Sequence, residues 1–221
     1  MINFVCDLQT MEKEKTDKKD HILDVAEKIF SELGYDGAST RTISGEAGVN
    51  MAMLNYYFGS KEGLYLAVFE RKISAFRTLL QNIGNDASIS AWDKMDRCID
   101  NYVERIVANS CFQKLINREL SLNKRTEITD KMTSILMTNV YEFKKIIQEG
   151  IDSGQFYSDV DQDLVVMTIF GTKNHILNSP HITLRMLGID KLDDAYLEAS
   201  LKPRLRTYMK RLIKSYLVKQ Q

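Results

Sequence analysis

Between Ser39 and Lys61 the chain places hydroxyls, carboxamides, phenols and two cations at spacings that suit hydrogen bonding to a nucleic acid, not bond-making chemistry. Ser39 and Thr40 stand at a predicted helix start, where hydroxyls and unused backbone N–H groups suit a phosphate. Arg41 can reach a phosphate or a base edge, and Lys61 is a point-charge phosphate contact. Tyr56 and Tyr57 end a short helix; one phenol can donate to a phosphate while the other ring packs inward, and spacing makes Tyr57 the more buried. Base reading falls to Met51, Ala52, Met53 and Asn55, with Asn50 at the head of the same helix. A carboxamide can pair bidentately with adenine, and small apolar groups can meet a thymine methyl. That helix holds no Arg or Lys, which argues against guanine reading. Each residue also has a plainer role: Ser39 and Asn50 as helix caps, Lys61 as a solvated lysine, Met51 and Met53 as packing.

Something must hold these groups in place. Residues 40–59, TRTISGEAGVNMAMLNYYFG, have the pattern of a helix-turn-helix. Ile43, Ala47, Val49, Leu54 and Tyr57 fall where two short helices bury side chains against each other. Small Ser44 lets the helices approach, and Gly48 turns the corner where positive φ is easiest. Helices are predicted over Asp17–Leu33, closed by Gly34; over Thr40–Ala47, capped by Ser39; over Met51–Phe58, capped by Asn50; and from Ser60 for about six turns to Gly84. Further helices are predicted over Ala91–Ala108, Phe112–Leu122, Ile128–Ile151, Leu164–Leu177 and Leu201–Val218. Pro203 near the start of the last is tolerated at a first helical position or else marks a kink. No β alternation is visible.

The 221 residues are 44% hydrophobic and 27% charged, a globular composition large enough for one domain or two small ones. Thirty Lys and Arg balance thirty Asp and Glu, so no overall positive charge advertises a polyanion partner. Cys6, Cys98 and Cys111 are scattered and predict reduced thiols in a cytoplasmic protein. The opening MINFVCDLQTMEKEK is not a signal peptide, and no apolar run is long enough to span a membrane.

The run HILDVAEKIFSELGYDGASTRTISGEAGVNMAMLNYYFGSKEGLYLAVF resembles the N-terminal domain of the TetR family of bacterial transcriptional regulators. The order of signatures matches: ILDVAEKIF, Gly34, a Ser/Thr-x-Arg-x-Ile, AGV, a Leu followed by YYF, then Ser-Lys-Glu. Two positions depart from the family: Asn55 stands where an aromatic is frequent, and Ala52 where glycine is frequent. Both lie in the recognition helix and bear on sequence preference. The resemblance implies an all-α homodimer, with a three-helix helix-turn-helix head joined by a long helix to a ligand-binding and dimerisation body. It makes residues 1–16 a flexible extension, 17–72 the head and 73–221 the body. Ser39, Thr40, Arg41, Tyr56, Tyr57 and Lys61 correspond to the family's phosphate clamps, and the last two long helices to a four-helix interface between protomers.

No effector is written in the body. Tyr102, Phe112, Met132, Met137, Tyr141, Met167, Phe170 and His175 are pocket candidates, suited to an apolar or amphipathic small molecule. Plain core is the alternative reading for all of them. His175 and His181 do not have a metal spacing, so neither metal nor cofactor is expected. No Ser/His/Asp grouping or Gly-rich phosphate loop supports an enzyme. The expected function is a ligand-responsive regulator, most simply a repressor, that binds a near-palindromic double-stranded operator; the alternative is a helical interaction module with a vestigial head. Two charge features are harder to read. The stretch from Met11 to Arg77 is not net basic, apart from a Lys13, Lys15, Lys18, Lys19 cluster that could follow the DNA backbone. The last segment carries Lys202, Arg204, Arg206, Lys210, Arg211, Lys214 and Lys219 with no acid after Glu198.

Overall fold

A computed structural model describes residues 2–105, 116 and 126–219, with side chains from residue 17. The described residues form helices and no strand: α1 (Ile2–Gly37), α2 (Thr40–Glu46), α3 (Met51–Phe58), α4 (Lys61–Gly84), α5 (Ala91–Glu104), α6 (Glu127–Asp152), α7 (Gln162–Asn178), α8 (Pro180–Leu187), α9 (Asp194–Tyr196) and α10 (Lys202–Leu217). Phe112, Cys111 and the helix predicted over Phe112–Leu122 lie outside the described residues, except for Ile116, which is helical and buried. The described chain divides into two compact units. One comprises Met1–Lys72 with Lys114–Met132; the other comprises Ile73–Gln113 with Thr133–Gln221.

In the first unit, α1 starts at Ile2, upstream of the predicted Asp17. Gly34, at φ 74°, breaks its regular helical geometry where the sequence placed the stop. The apolar stripe Ile22, Ala26, Ile29 and Phe30 is buried, together with Ile43, Leu54, Leu64, Tyr65, Val68 and Phe69. Phe30, Tyr35, Tyr65 and Phe69 form a run of ring contacts with centroids 4.8 to 6.4 Å apart. Arg71 on α4 reaches Asp24 at 2.8 Å and Glu27 at 3.5 Å on α1, and Lys72 reaches Glu27 at 2.8 Å. Acids counted against a basic head are therefore committed to packing α1 on α4.

In the second unit, α5 begins with a reciprocal cap in which Ser90 and Asp93 satisfy each other's backbone N–H. Its buried face, Met95, Cys98, Ile99, Tyr102 and Val103, joins Phe143, Ile146 and Ile147 of α6, Val166 and Ile169 of α7, and Leu205, Met209 and Ile213 of α10 in one core. Burial pushes the Cys98 thiol up to about 12, so it packs as an apolar residue and does not react at neutral pH. Gly150 is required by packing: a Cβ there would stand 2.2 Å from the Phe156 ring.

The C-terminal helix departs from expectation. It begins at Asp194, capped by Asp193, and runs through a π turn at Leu197–Leu201 into α10. The Lys202 N–H reaches the Leu197 carbonyl, five residues back. Pro203 follows this wider turn, so its missing N–H and bulky ring are accommodated inside a continuous helical run and do not start it. The short helix α8, which starts at Pro180 and ends at left-handed Gly188 (φ 67°), has too few turns for its periodicity to stand out in the sequence.

The basic run at the C-terminus also has an explanation. Lys202, Arg206 and Lys210 recur every four residues on α10 and face Asp96, Asp100 and Glu104, which recur every four residues on α5. Lys202 bonds Glu104 at 3.0 Å and Glu198 at 2.6 Å; Lys210 bonds Asp96 at 2.7 Å and Asp100 at 2.8 Å; Arg206 stands in ion-pair distance of Asp100 at 3.0 Å and also pairs with Glu104. Lys214 lies over the Trp92 ring at 5.2 Å. These cations seal α10 onto α5 instead of facing a polyanion.

Candidate nucleic-acid interface

The helix-turn-helix is built by caps at both helix starts. The Ser39 hydroxyl accepts from Thr42 N–H at 3.0 Å, and Asn50 Oδ1 accepts from Met53 N–H at 2.8 Å. Both residues are therefore caps, and what they present to a ligand is the helix start they organise. Ser44 is buried and donates to the Arg41 carbonyl at 3.1 Å and to the Met51 sulfur at 3.3 Å, which ties the second helix to the first. Gly48 takes φ 64° at the corner. Gly59 takes φ 72° after α3, and Ser60 caps α4 by accepting from Gly63 N–H at 3.0 Å.

Gly63, which the sequence reading passed over, is sterically required. A Cβ there would lie 2.1 Å from the Phe58 carbonyl oxygen, so only glycine lets α4 start this close to the end of α3. The signal was present as a glycine in the first turn of a helix, where nothing else called for one.

With Leu54 buried, α3 turns Met51, Ala52, Asn55 and Tyr56 outward; Tyr56 is 70% exposed. These positions share one helix face. Met53 and Tyr57 are half-buried, and the Tyr57 ring meets Tyr56 edge-on at 5.4 Å. Arg41 is exposed and Thr40 half-buried at the start of α2. Lys61 is not simply solvated: its ammonium sits 4.5 Å from the centroid of the Tyr35 ring, which fixes where the charge is presented. Lys18 is exposed beside His21 in a groove completed by Val49, Asn50 and Met53. Lys19 is exposed too, with its ammonium 6.0 Å from the Phe58 ring centroid. The side chains of Lys13 and Lys15 lie outside the described residues.

The pocket candidates do not come together as one set. Tyr102 and Phe170 meet edge to face at 4.8 Å, within a cluster that includes Phe143 and Phe76. Met132 is buried but belongs to the first unit. Tyr141, Met167 and His175 are exposed, and Met137 is half-buried. Residue type suggested a pocket wall for all of them, but helix rotation turns these three outward. Lys173 and Arg105, which the sequence reading did not single out, lie against the Tyr102 and Phe76 rings at 5.2 and 4.7 Å. Among the described residues no group of His, Cys, Asp or Glu could hold a metal ion, and no helix is long and apolar enough to cross a membrane.

A family model described as bacterial regulatory proteins, tetR family, matches residues 22–68, and one described as a tetracyclin repressor-like C-terminal domain matches residues 92–203. The probable HTH-type transcriptional regulator YttP of Bacillus subtilis is 29% identical over 62% of this chain and 66% of that protein. The fatty acid metabolism regulator protein of Bacillus subtilis is 27% identical over 72% of this chain and 81% of that protein. Among solved structures, the fold matches the transcriptional regulator FadR from Bacillus subtilis in complex with stearoyl-CoA, with TM-score 0.66 and 22% identity over 87% of this chain and 96% of that one. It also matches Salmonella enterica GusR, with TM-score 0.68 and 17% identity over 91% and 95%.

Proposed function

Because the chain belongs to the TetR family of bacterial regulatory proteins, a ligand-responsive DNA-binding class, we propose that α3 enters the major groove of a near-palindromic operator twice, once from each protomer of a homodimer. The observation that carries this reading is the exposed face Met51, Ala52, Asn55 and Tyr56, seated on a buried Leu54 and framed by capped helix starts at Ser39 and Asn50. Met51, Ala52 and Met53 meet base edges, Asn55 reads adenine, and Ser39, Thr40, Arg41, Asn50, Tyr56, Tyr57 and Lys61 position the helix on the phosphates. The head spans residues 17–72 and the body 73–221.

The dimer closes through the apolar side chains that α7 and α10 leave exposed: Leu164, Met167, Tyr208, Leu212 and Tyr216. The protein acts in the cytoplasm as a repressor, released when an apolar or amphipathic small molecule binds the state that does not fit DNA. The relative described as a fatty acid metabolism regulator, and the FadR structure that holds stearoyl-CoA, support an effector with a long apolar portion.

The test selects bound fragments from random duplexes with the full chain, then measures gel shifts on the selected site. Arg41→Ala with Lys61→Ala weakens binding about tenfold or more while dimerisation persists. Indifference to both changes would instead make the chain a helical interaction module with a vestigial head.

A further inference from the structure

Three lysines of the second unit are almost fully buried: Lys94, Lys202 and Lys173, at 3, 5 and 8% exposure. The first two are answered by carboxylates. Lys94 bonds both oxygens of Glu149, at 2.7 and 2.8 Å, and the Gly84 carbonyl at 2.8 Å; Lys202 bonds Glu104 and Glu198. Among the described residues Lys173 has no carboxylate and no hydrogen-bond acceptor. Its ammonium lies 5.2 Å from the centroid of the Tyr102 ring. The nearest charge makes matters worse. Arg105, a second cation without a described carboxylate, lies 4.7 Å from the Phe76 ring, and the Phe76 and Tyr102 rings are 6.0 Å apart. Burial and then the Arg105 charge pull the Lys173 ammonium down to about 8, and burial also lowers Arg105.

A ring face returns only part of the hydration that a buried ammonium gives up, and two like charges side by side add to the cost. An anion placed between them would remove both penalties. Half-buried Phe170 and fully buried Phe143 continue the cluster of rings from Tyr102, so the two cations border apolar packing. We propose that the effector is an amphipathic anion whose acidic head, a carboxylate or a phosphate, is received by Lys173 and Arg105 beside the Tyr102 and Phe76 rings, with its apolar portion against Phe170 and Phe143. This rests on the body being the effector site. It adds the charge of the ligand and the two residues that select it.

The test measures dissociation constants of the 221-residue chain for dodecanoate, dodecanoyl-coenzyme A and uncharged dodecanol. At least one of the two anions binds about tenfold or more tightly than the alcohol. Preference for the free acid identifies a carboxylate head, and preference for the thioester identifies a phosphate. Lys173→Met weakens the preferred anion about tenfold or more, Lys173→Arg retains it, and binding of the alcohol does not change. Without a probe, Lys173→Met melts at a higher temperature than the wild type, because it removes a charge that only the ligand answers. A lower melting temperature would make Lys173 a structural residue and overturn the proposal. Equal binding of anion and alcohol, unchanged anion binding by Lys173→Met, or no binding of either anion would also overturn it. Operator binding by Lys173→Met without a probe stays at wild-type strength, so failure here leaves the DNA-binding reading intact.

Discussion

The seam between α5 and α10 and the ring cluster around Tyr102 treat the same side chain in opposite ways. Lys202 and Lys173 are about equally buried. At Lys202 burial alone would depress the ammonium, but the hydrogen bonds it donates to Glu198 and Glu104 overcome it and the pKa is raised. At Lys173 burial is the larger cause and the Arg105 charge adds to it, so the pKa falls. Burial therefore does not decide what a buried cation is for; its partners do. The first unit repeats the division. Arg71 is held by Asp24 and Glu27, whereas Arg41 and Lys61 have no carboxylate partner among the described residues. Lys202 and Arg71, answered by carboxylates, hold helices together, whereas Lys173, Arg105, Arg41 and Lys61 stand where an anionic ligand is proposed to bind.

The contrast is open to direct attack. The largest effect is expected at the seam: Lys202→Met leaves Glu198 without its cation and Glu104 with Arg206 alone, and costs about 2–4 kcal/mol of unfolding free energy, read by denaturant titration. The opposite sign is expected at Lys173, where Lys173→Met stabilises the effector-free protein at neutral pH by about 1–3 kcal/mol. If both variants lose stability, the distinction fails.

A pH series sharpens the same point. The Lys173 pKa of about 8 in the folded chain lies below the ordinary lysine value of 10.5. Between those values the unfolded chain binds more protons than the folded one, so stability rises with pH across that window. The penalty is present in full below about pH 8. Lys173→Met should flatten this rise, and a slope identical in both proteins would contradict the assignment. Smaller effects belong to the head. Arg71→Ala costs about 1 kcal/mol, because its partners are mostly exposed, whereas Arg41→Ala changes stability by less than about 0.5 kcal/mol; thermal melts check both.

The head was legible in the sequence because its logic is local. Ser39 and Asn50 cap, Gly34 and Gly48 turn, and Leu54 and Ser44 face inward at spacings a few residues long. Tyr35 under Lys61 and Gly63 under Phe58 escaped notice because each matters through one specific contact across a turn. The body was legible as helices and not as a site. The acids Asp96, Asp100 and Glu104 and the cations Lys202, Arg206 and Lys210 each show a four-residue rhythm, but nothing in one helix names the partner about 100 residues away. Pro203 does stand in the first turn of α10, but the short helix and π turn that precede it are invisible in residue types. Tyr141, Met167 and His175 failed as pocket candidates for a related reason: side-chain chemistry does not say which face of a helix meets the core.

The central claim is that α3 reads DNA in a symmetric pair, and its most direct test is a gel shift of the 221-residue chain on duplexes selected from a random pool, across a salt series. The account predicts a selected site with two half-sites about 34 Å apart and binding that weakens steeply with salt, with Asn55→Ala relaxing the preference at one position of each half-site. A purified protein that stays monomeric and retains no duplex of any sequence at low ionic strength would contradict it.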